Sequence, residues 1–189
     1  YYRCVIYDHR TFGRTDDEEP PIGRAAFAED LKCLLDYLEI EKTAIIAHSM
    51  GGRSGSGFTL RNPRRVWGLV LSGSNGGSDN EEARKVRKKH KSNPPFTPNG
   101  FLRAISPGFA KEHPKKAFLY RQIMRSNPPH EPDFLKVPKH LWGISTHGRF
   151  VELGIPILYV TGDEDVIVHP ETIKIASEQW ILSMFRTYT

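Results

Sequence analysis

Residues 43–52 read Thr43-Ala44-Ile45-Ile46-Ala47-His48-Ser49-Met50-Gly51-Gly52. The first five are short, apolar and partly β-branched, which predicts a strand buried on both faces. The segment from the glycine pair to Asn62 predicts a helix that Pro63 ends, although Gly55 and Gly57 each cost about 1 kcal/mol relative to Ala. A strand giving way to a helix through Ala-His-Ser-Met-Gly is the setting in which a G-x-S-x-G pattern has mechanical meaning. A sharp, strained turn lifts the serine hydroxyl above the sheet, and small residues two before and two after it let strand and helix pass. Ala47 stands in place of the first glycine and is small enough to keep that clearance. Ser49 is the candidate nucleophile, and the backbone N–H of Met50, in the first turn of the helix, is placed to donate to a developing oxyanion. His48 is read as a packing residue that points away from the serine.

Upstream, Cys4 to Tyr7 lie in an apolar run that stops at Asp8, which predicts another buried strand. Phe27, Leu31, Leu34, Leu35 and Leu38 recur at helical spacing and predict a helix over 25–40. Downstream, Val66 to Leu71 and Ile155 to Val160 predict two more strands, each followed by a glycine-containing turn. Strands alternating with helices imply an α/β fold with a mostly parallel sheet and helices on both faces. Between Gly76 and Arg149 the pattern changes: nine of the 14 prolines fall there and no strand period survives, so the segment reads as an inserted cap with short helices near 83–89 and 116–125. The expected division is a core over 1–75, a cap over 76–149 and the second part of the core over 150–189.

At 189 residues the chain has room for about one α/β domain. Its 38% hydrophobic content and net charge of +5 place it among globular rather than disordered sequences. No apolar run is long enough for a membrane helix. Cys4 and Cys33 have no second pair to make a disulfide framework or zinc site, which favours a reducing, cytoplasmic setting. The densest basic run, Arg84 to Lys91, lacks interleaved aromatic residues, so it reads as a solvated helix face rather than a nucleic-acid patch. None of the eight histidines has metal-ligand spacing with another His, Cys or Asp, and no cofactor or metal is implied.

Four stretches together resemble the α/β-hydrolase fold family in order and spacing. They are 5–15 (Val-Ile-Tyr-Asp-His-Arg-Thr-Phe-Gly-Arg-Thr), the turn at Ser49, Asn62-Pro63-Arg64-Arg65-Val66 leading into the next strand, and 156–165 (Pro-Ile-Leu-Tyr-Val-Thr-Gly-Asp-Glu-Asp). Within 76–149 only Asn127-Pro128-Pro129 looks familiar. In that family the loop matching Asp8 and Arg10 is architectural, and Thr11 stands where glycine is usual. The resemblance implies a serine hydrolase acting on an ester, thioester or similar acyl bond of a small molecule. It maps the triad acid onto Asp165, in the G-x-x-D turn that begins at Gly162, with Asp163 one turn too early. The carboxylate is needed because a histidine that takes the serine proton becomes imidazolium. Ser72-Gly73-Ser74 leave the alternative acid position empty.

The family's histidine follows its eighth strand, and His169 is too close to Asp165 to take that place. The resemblance therefore implies an incomplete fold in which the first three strands, the eighth strand and the base lie outside this sequence. The missing third strand would separate Cys4 to Tyr7 from Thr43 to Ala47, leaving a gap or forcing an unusual direct pairing. The alternative is a non-catalytic member of the fold that binds small molecules or proteins. Substrate and oligomeric state stay open.

Overall fold

Strands β1 (Thr43–His48), β2 (Val66–Ser72), β3 (Ile157–Gly162) and β4 (Ser183–Tyr188) form one sheet in that order, every neighbouring pair parallel. The computed structural model describes residues 2–16, 23–78, 80–92, 104–127, 136, 153–179 and 182–189. Parallel neighbours need crossovers. Helix α1 (Phe27–Tyr37) precedes β1, α2 (Gly51–Arg61) links β1 to β2, and α6 (Pro170–Glu178) links β3 to β4. Between β2 and β3 lie α3 (Glu81–Ser92), α4 (Pro107–Glu112) and α5 (Pro114–Ser126).

Register explains the core. Ile45 pairs with Leu69 and Leu69 with Ile157, while Ala47 pairs with Leu71 and Leu71 with Tyr159, so these side chains form two rows on one face of the sheet. They make one buried cluster with Leu31 and Leu35 of α1, Phe58 of α2, and Ile173 and Ala176 of α6. The opposite face is open among the described residues, with Ile46 80% and Met184 53% exposed. The expectation that the first strand of the sheet is buried on both faces is therefore corrected: it alternates, with Ile45 and Ala47 in and Ile46 out.

Two further expectations change. Cys4 to Tyr7 form no strand: among the described residues the sheet begins at β1, so this segment has no ladder to join, and Ile6 is 95% exposed while Tyr7 packs against the core. The expected absence of a strand after the acid loop is also overturned, because Ser183–Tyr188 pairs with β3 along its full length. This edge strand carries mixed polar and apolar residues and is mostly exposed, so it gives little periodic signal. The strand expected at 155–160 is observed two residues later, and α4 was not anticipated.

Helix α1 ends with Glu39 in the left-handed region at φ 54, as Ile40 N donates to Leu35 O at 2.8 Å and Glu39 N to Asp36 O at 3.0 Å. Helix α3 lies against α6: Ala83, Val86 and Ile175 form a small apolar cluster, and Ser78 Oγ donates to Gln179 Oε1 at 2.9 Å. With Ala83 and Val86 facing inward, Arg84, Lys85, Arg87, Lys88, Lys89 and Lys91 occupy the exposed side of α3. Part of the cap expected over 76–149 falls outside the described residues, including His130, His140, His147 and seven of its prolines. No described helix is long and apolar enough to cross a membrane.

Candidate active site

Ser49 occupies the single residue between the end of β1 and Met50, the N-cap of α2, with φ at 49°. A non-glycine residue in this region costs on the order of 1–3 kcal/mol and persists only where its surroundings fix it. Here the Ser49 N–H donates to Ser72 O at 2.8 Å, extending the β1–β2 ladder through the turn, and Ser49 O accepts from Gly52 N at 3.0 Å. Among the described residues the Ser49 hydroxyl has no hydrogen-bond partner.

The glycines of α2 let the helix lie close to the sheet. A Cβ on Gly55 would meet Ala47 Cβ at 3.0 Å, Ile45 Cγ2 at 3.1 Å and Leu69 Cδ1 at 3.3 Å. The Ala47 side chain is thus one wall of the strand–helix contact, and a larger residue there would push α2 off the sheet.

Because every strand runs the same way, the residues after β1, β2 and β3 meet at one edge. Asp165 follows β3; its Oδ1 accepts from Ile167 N at 2.8 Å and Val168 N at 2.9 Å, which fixes the carboxylate. Its Oδ2 faces Gly73, after β2: a Cβ built on Gly73 would stand 3.6 Å from that oxygen and 3.5 Å from His48 Cε1. His48 is exposed, with Nδ1 3.3 Å from Ser72 Oγ, which replaces the packing role expected for it. It ends the strand on the open face, where no described helix covers it. Asp163 is exposed, and its N–H donates to Tyr188 O at 3.0 Å.

The loop after Tyr7 packs beside the serine turn. His9 Nε2 lies 2.8 Å from Ser54 Oγ, and its ring stacks on Phe27 with centroids 4.3 Å apart. Burial holds the His9 pKa below the ordinary imidazole value, with the Asp30 and Asp8 carboxylates opposing the shift. Arg10 binds Asp30 of α1 through Nε at 2.8 Å and Nη2 at 2.5 Å, a bidentate pair that ties loop to helix. Gly13, at φ 56, leaves room for the Asp8 carboxylate, whose Oδ1 would stand 2.9 Å from a Cβ there with Oδ2 closer still. Thr11 sits at φ 68, a conformation suited to the glycine usual at this position.

His169 is the N-cap of α6, accepting from Glu171 N at 3.2 Å through Nδ1. Burial and the neighbouring His90 lower its pKa, while Glu171 and Asp165 act in the other direction. His90 of α3 stacks on it with ring centroids 3.2 Å apart and reaches Glu171 Oε2 through Nε2 at 2.9 Å. Sequence spacing gave no sign of this group, because His90 and Glu171 are 81 positions apart and the packing of α3 on α6 joins them.

The family model for the alpha/beta hydrolase fold matches residues 1–125, and the chain belongs to that family. Among curated relatives, a putative carbamate hydrolase RutD of Agrobacterium fabrum is 40% identical over 72 residues, 38% of this chain and 28% of that protein. The 2-hydroxy-6-oxononadienedioate/2-hydroxy-6-oxononatrienedioate hydrolase of Paraburkholderia xenovorans is 40% identical over 81 residues, 42% of this chain and 28% of that protein. Each match thus spans under a third of the relative's length. Among solved structures, a thermophilic esterase from Thermogutta terrifontis superimposes with a TM-score of 0.68 at 23% identity, over 96% of this chain and 69% of its own. Both curated relatives are named as hydrolases.

Proposed function

We propose that the protein is a serine hydrolase of an ester, thioester or similar acyl bond in a small molecule, with Ser49 as nucleophile, the Met50 N–H as one oxyanion donor and Asp165 as the triad acid. The observation that carries this reading is Ser49 at φ 49 between a parallel strand and a helix, with its backbone tied to Ser72 and its hydroxyl uncommitted. A general base would take the Ser49 proton as the oxygen attacks the acyl carbon. Asp165 Oδ2, whose partner oxygen is already held by two backbone N–H groups, would accept from the resulting imidazolium. The base gives that proton to the leaving group as its bond to the acyl carbon breaks, then takes a proton from the water that attacks the acyl-enzyme and returns it to Ser49 as the acid leaves. His9, His48 and His169 are each engaged elsewhere, with Ser54, Ser72 and Glu171. The names of the curated relatives make a carbamate and 2-hydroxy-6-oxononadienedioate natural first compounds to try.

The test compares these 189 residues with the full gene product on a p-nitrophenyl ester. The shorter chain should be nearly inert, since loss of a triad base costs roughly 10⁶ in turnover. The full product should turn over, Ser49→Ala should abolish the rate, and Asp165→Asn should lower it roughly 10⁴-fold. Full activity in Ser49→Ala would end the assignment. We also assign 76–149 to a cap, which predicts that limited proteolysis cuts there before it cuts in α1.

A further inference from the structure

We propose that His90, His169 and Glu171 form a binding site for a divalent transition cation of the zinc type, which clips α3 to the start of α6. Each residue offers a ligand atom, and these atoms all lie within 4.8 Å of one another. Tetrahedral zinc binds nitrogen and oxygen at about 2.0–2.2 Å, which sets its ligand atoms roughly 3.3 Å apart, so closure needs shifts on the order of 1 Å. Two imidazoles with one carboxylate suit zinc, whereas magnesium and calcium favour oxygen donors.

Binding requires one of the two stacked rings to turn, because parallel imidazoles cannot both direct an in-plane lone pair at one ion. The two rings are nearly parallel at 11° with centroids 3.2 Å apart, closer than the 4.5–7 Å at which aromatic rings attract. His169 Nδ1 accepts from Glu171 N, which leaves its proton on Nε2, and a cation at Nδ1 takes the place of the Glu171 N–H. His90 Nε2 shares one hydrogen with Glu171 Oε2; the cation takes the place of that hydrogen, and the His90 proton then resides on Nδ1. Three protein ligands leave a position for water, and Glu171, about half exposed, gives the cation a way in. The site fastens α3, whose buried apolar contact with α6 is the small cluster of Ala83, Val86 and Ile175, next to the loop that holds Asp165.

The test uses the 189-residue chain, free of any polyhistidine tag and stripped with EDTA, titrated with ZnCl₂ by calorimetry and with CoCl₂ by absorption. One equivalent of Zn²⁺ should bind saturably and raise the thermal midpoint. Co²⁺ should give visible d–d bands without thiolate charge transfer. His90→Gln keeps a donor to Glu171 but is a poor ligand, and Glu171→Gln changes a partly exposed side chain. Each should weaken zinc binding by roughly a hundredfold or more while leaving the circular dichroism spectrum unchanged. Absence of saturable binding would overturn the proposal. So would wild-type affinity in both variants, or thiolate charge transfer, which would place the metal on the exposed Cys4 or Cys33.

Discussion

Gly52 packs directly on Ser74: a Cβ on Gly52 would stand 2.7 Å from Ser74 Cβ and closer still to its Oγ. Ser74 is 5% exposed and cannot swing into solvent without leaving the turn after β2. Gly52→Ala should therefore destabilise by about 1–3 kcal/mol in urea unfolding, even though Ala is the better helix former by about 1 kcal/mol. Adding Ser74→Gly should recover most of the loss. A neutral Gly52→Ala would mean that the helix can shift without cost.

Thr11 and Glu39 both carry Cβ atoms in left-handed backbone, at φ 68 and φ 54. Thr11→Gly and Glu39→Gly should each stabilise by about 0.5–1 kcal/mol, the relief of strain exceeding glycine's greater freedom in the unfolded chain. Chemical denaturation midpoints would register this as a shift without a change in slope.

Arg10 and Asp30, 17% and 24% exposed, make two charge-assisted bonds that anchor the 8–15 loop to α1. A double-mutant cycle with Arg10→Ala and Asp30→Ala should return a coupling of about 1.5–3 kcal/mol. Arg10→Lys should lose much of it, since an ammonium cannot reproduce the fork.

The Tyr7 phenol is pushed up to about 12, by burial first and by the Asp30 carboxylate second. Its folded value lies above the unfolded value near 10, so its contribution to stability is fully present below pH 10 and is lost as pH rises through about 12. Unfolding measured across that range should show a declining alkaline limb that Tyr7→Phe flattens. An unchanged limb in Tyr7→Phe would assign the decline to other groups.

The legibility of the chain followed its physics. The turn at Ser49 could be read because strand, small residues and helix are contiguous, and local geometry depends on neighbours in sequence. Strands β1, β2 and β3 were visible as apolar runs, since each is backed by helices on at least one face. Ser183–Tyr188 was not, because an edge strand with little burial needs no apolar alternation. Cys4–Tyr7 misled for the converse reason: an apolar run records a propensity, while a strand also requires a partner. The meeting of His48 and Asp165 around Gly73, and of His90 with Glu171, arises from strand order and helix packing, which leave no mark on local spacing.

The left-handed backbone at Ser49 also bounds the evolutionary drift of this position. Threonine would keep a hydroxyl, yet its branched Cβ adds bulk where even an unbranched side chain is strained. Cysteine, asparagine and aspartate add no branch, and the last two tolerate this conformation better than most residues. A lineage could therefore trade oxygen for sulfur or carboxylate here without rebuilding the turn, whereas trading one alcohol for the other would demand new backbone. At this position the backbone dihedral is the tighter constraint, and the side-chain heteroatom is the freer variable.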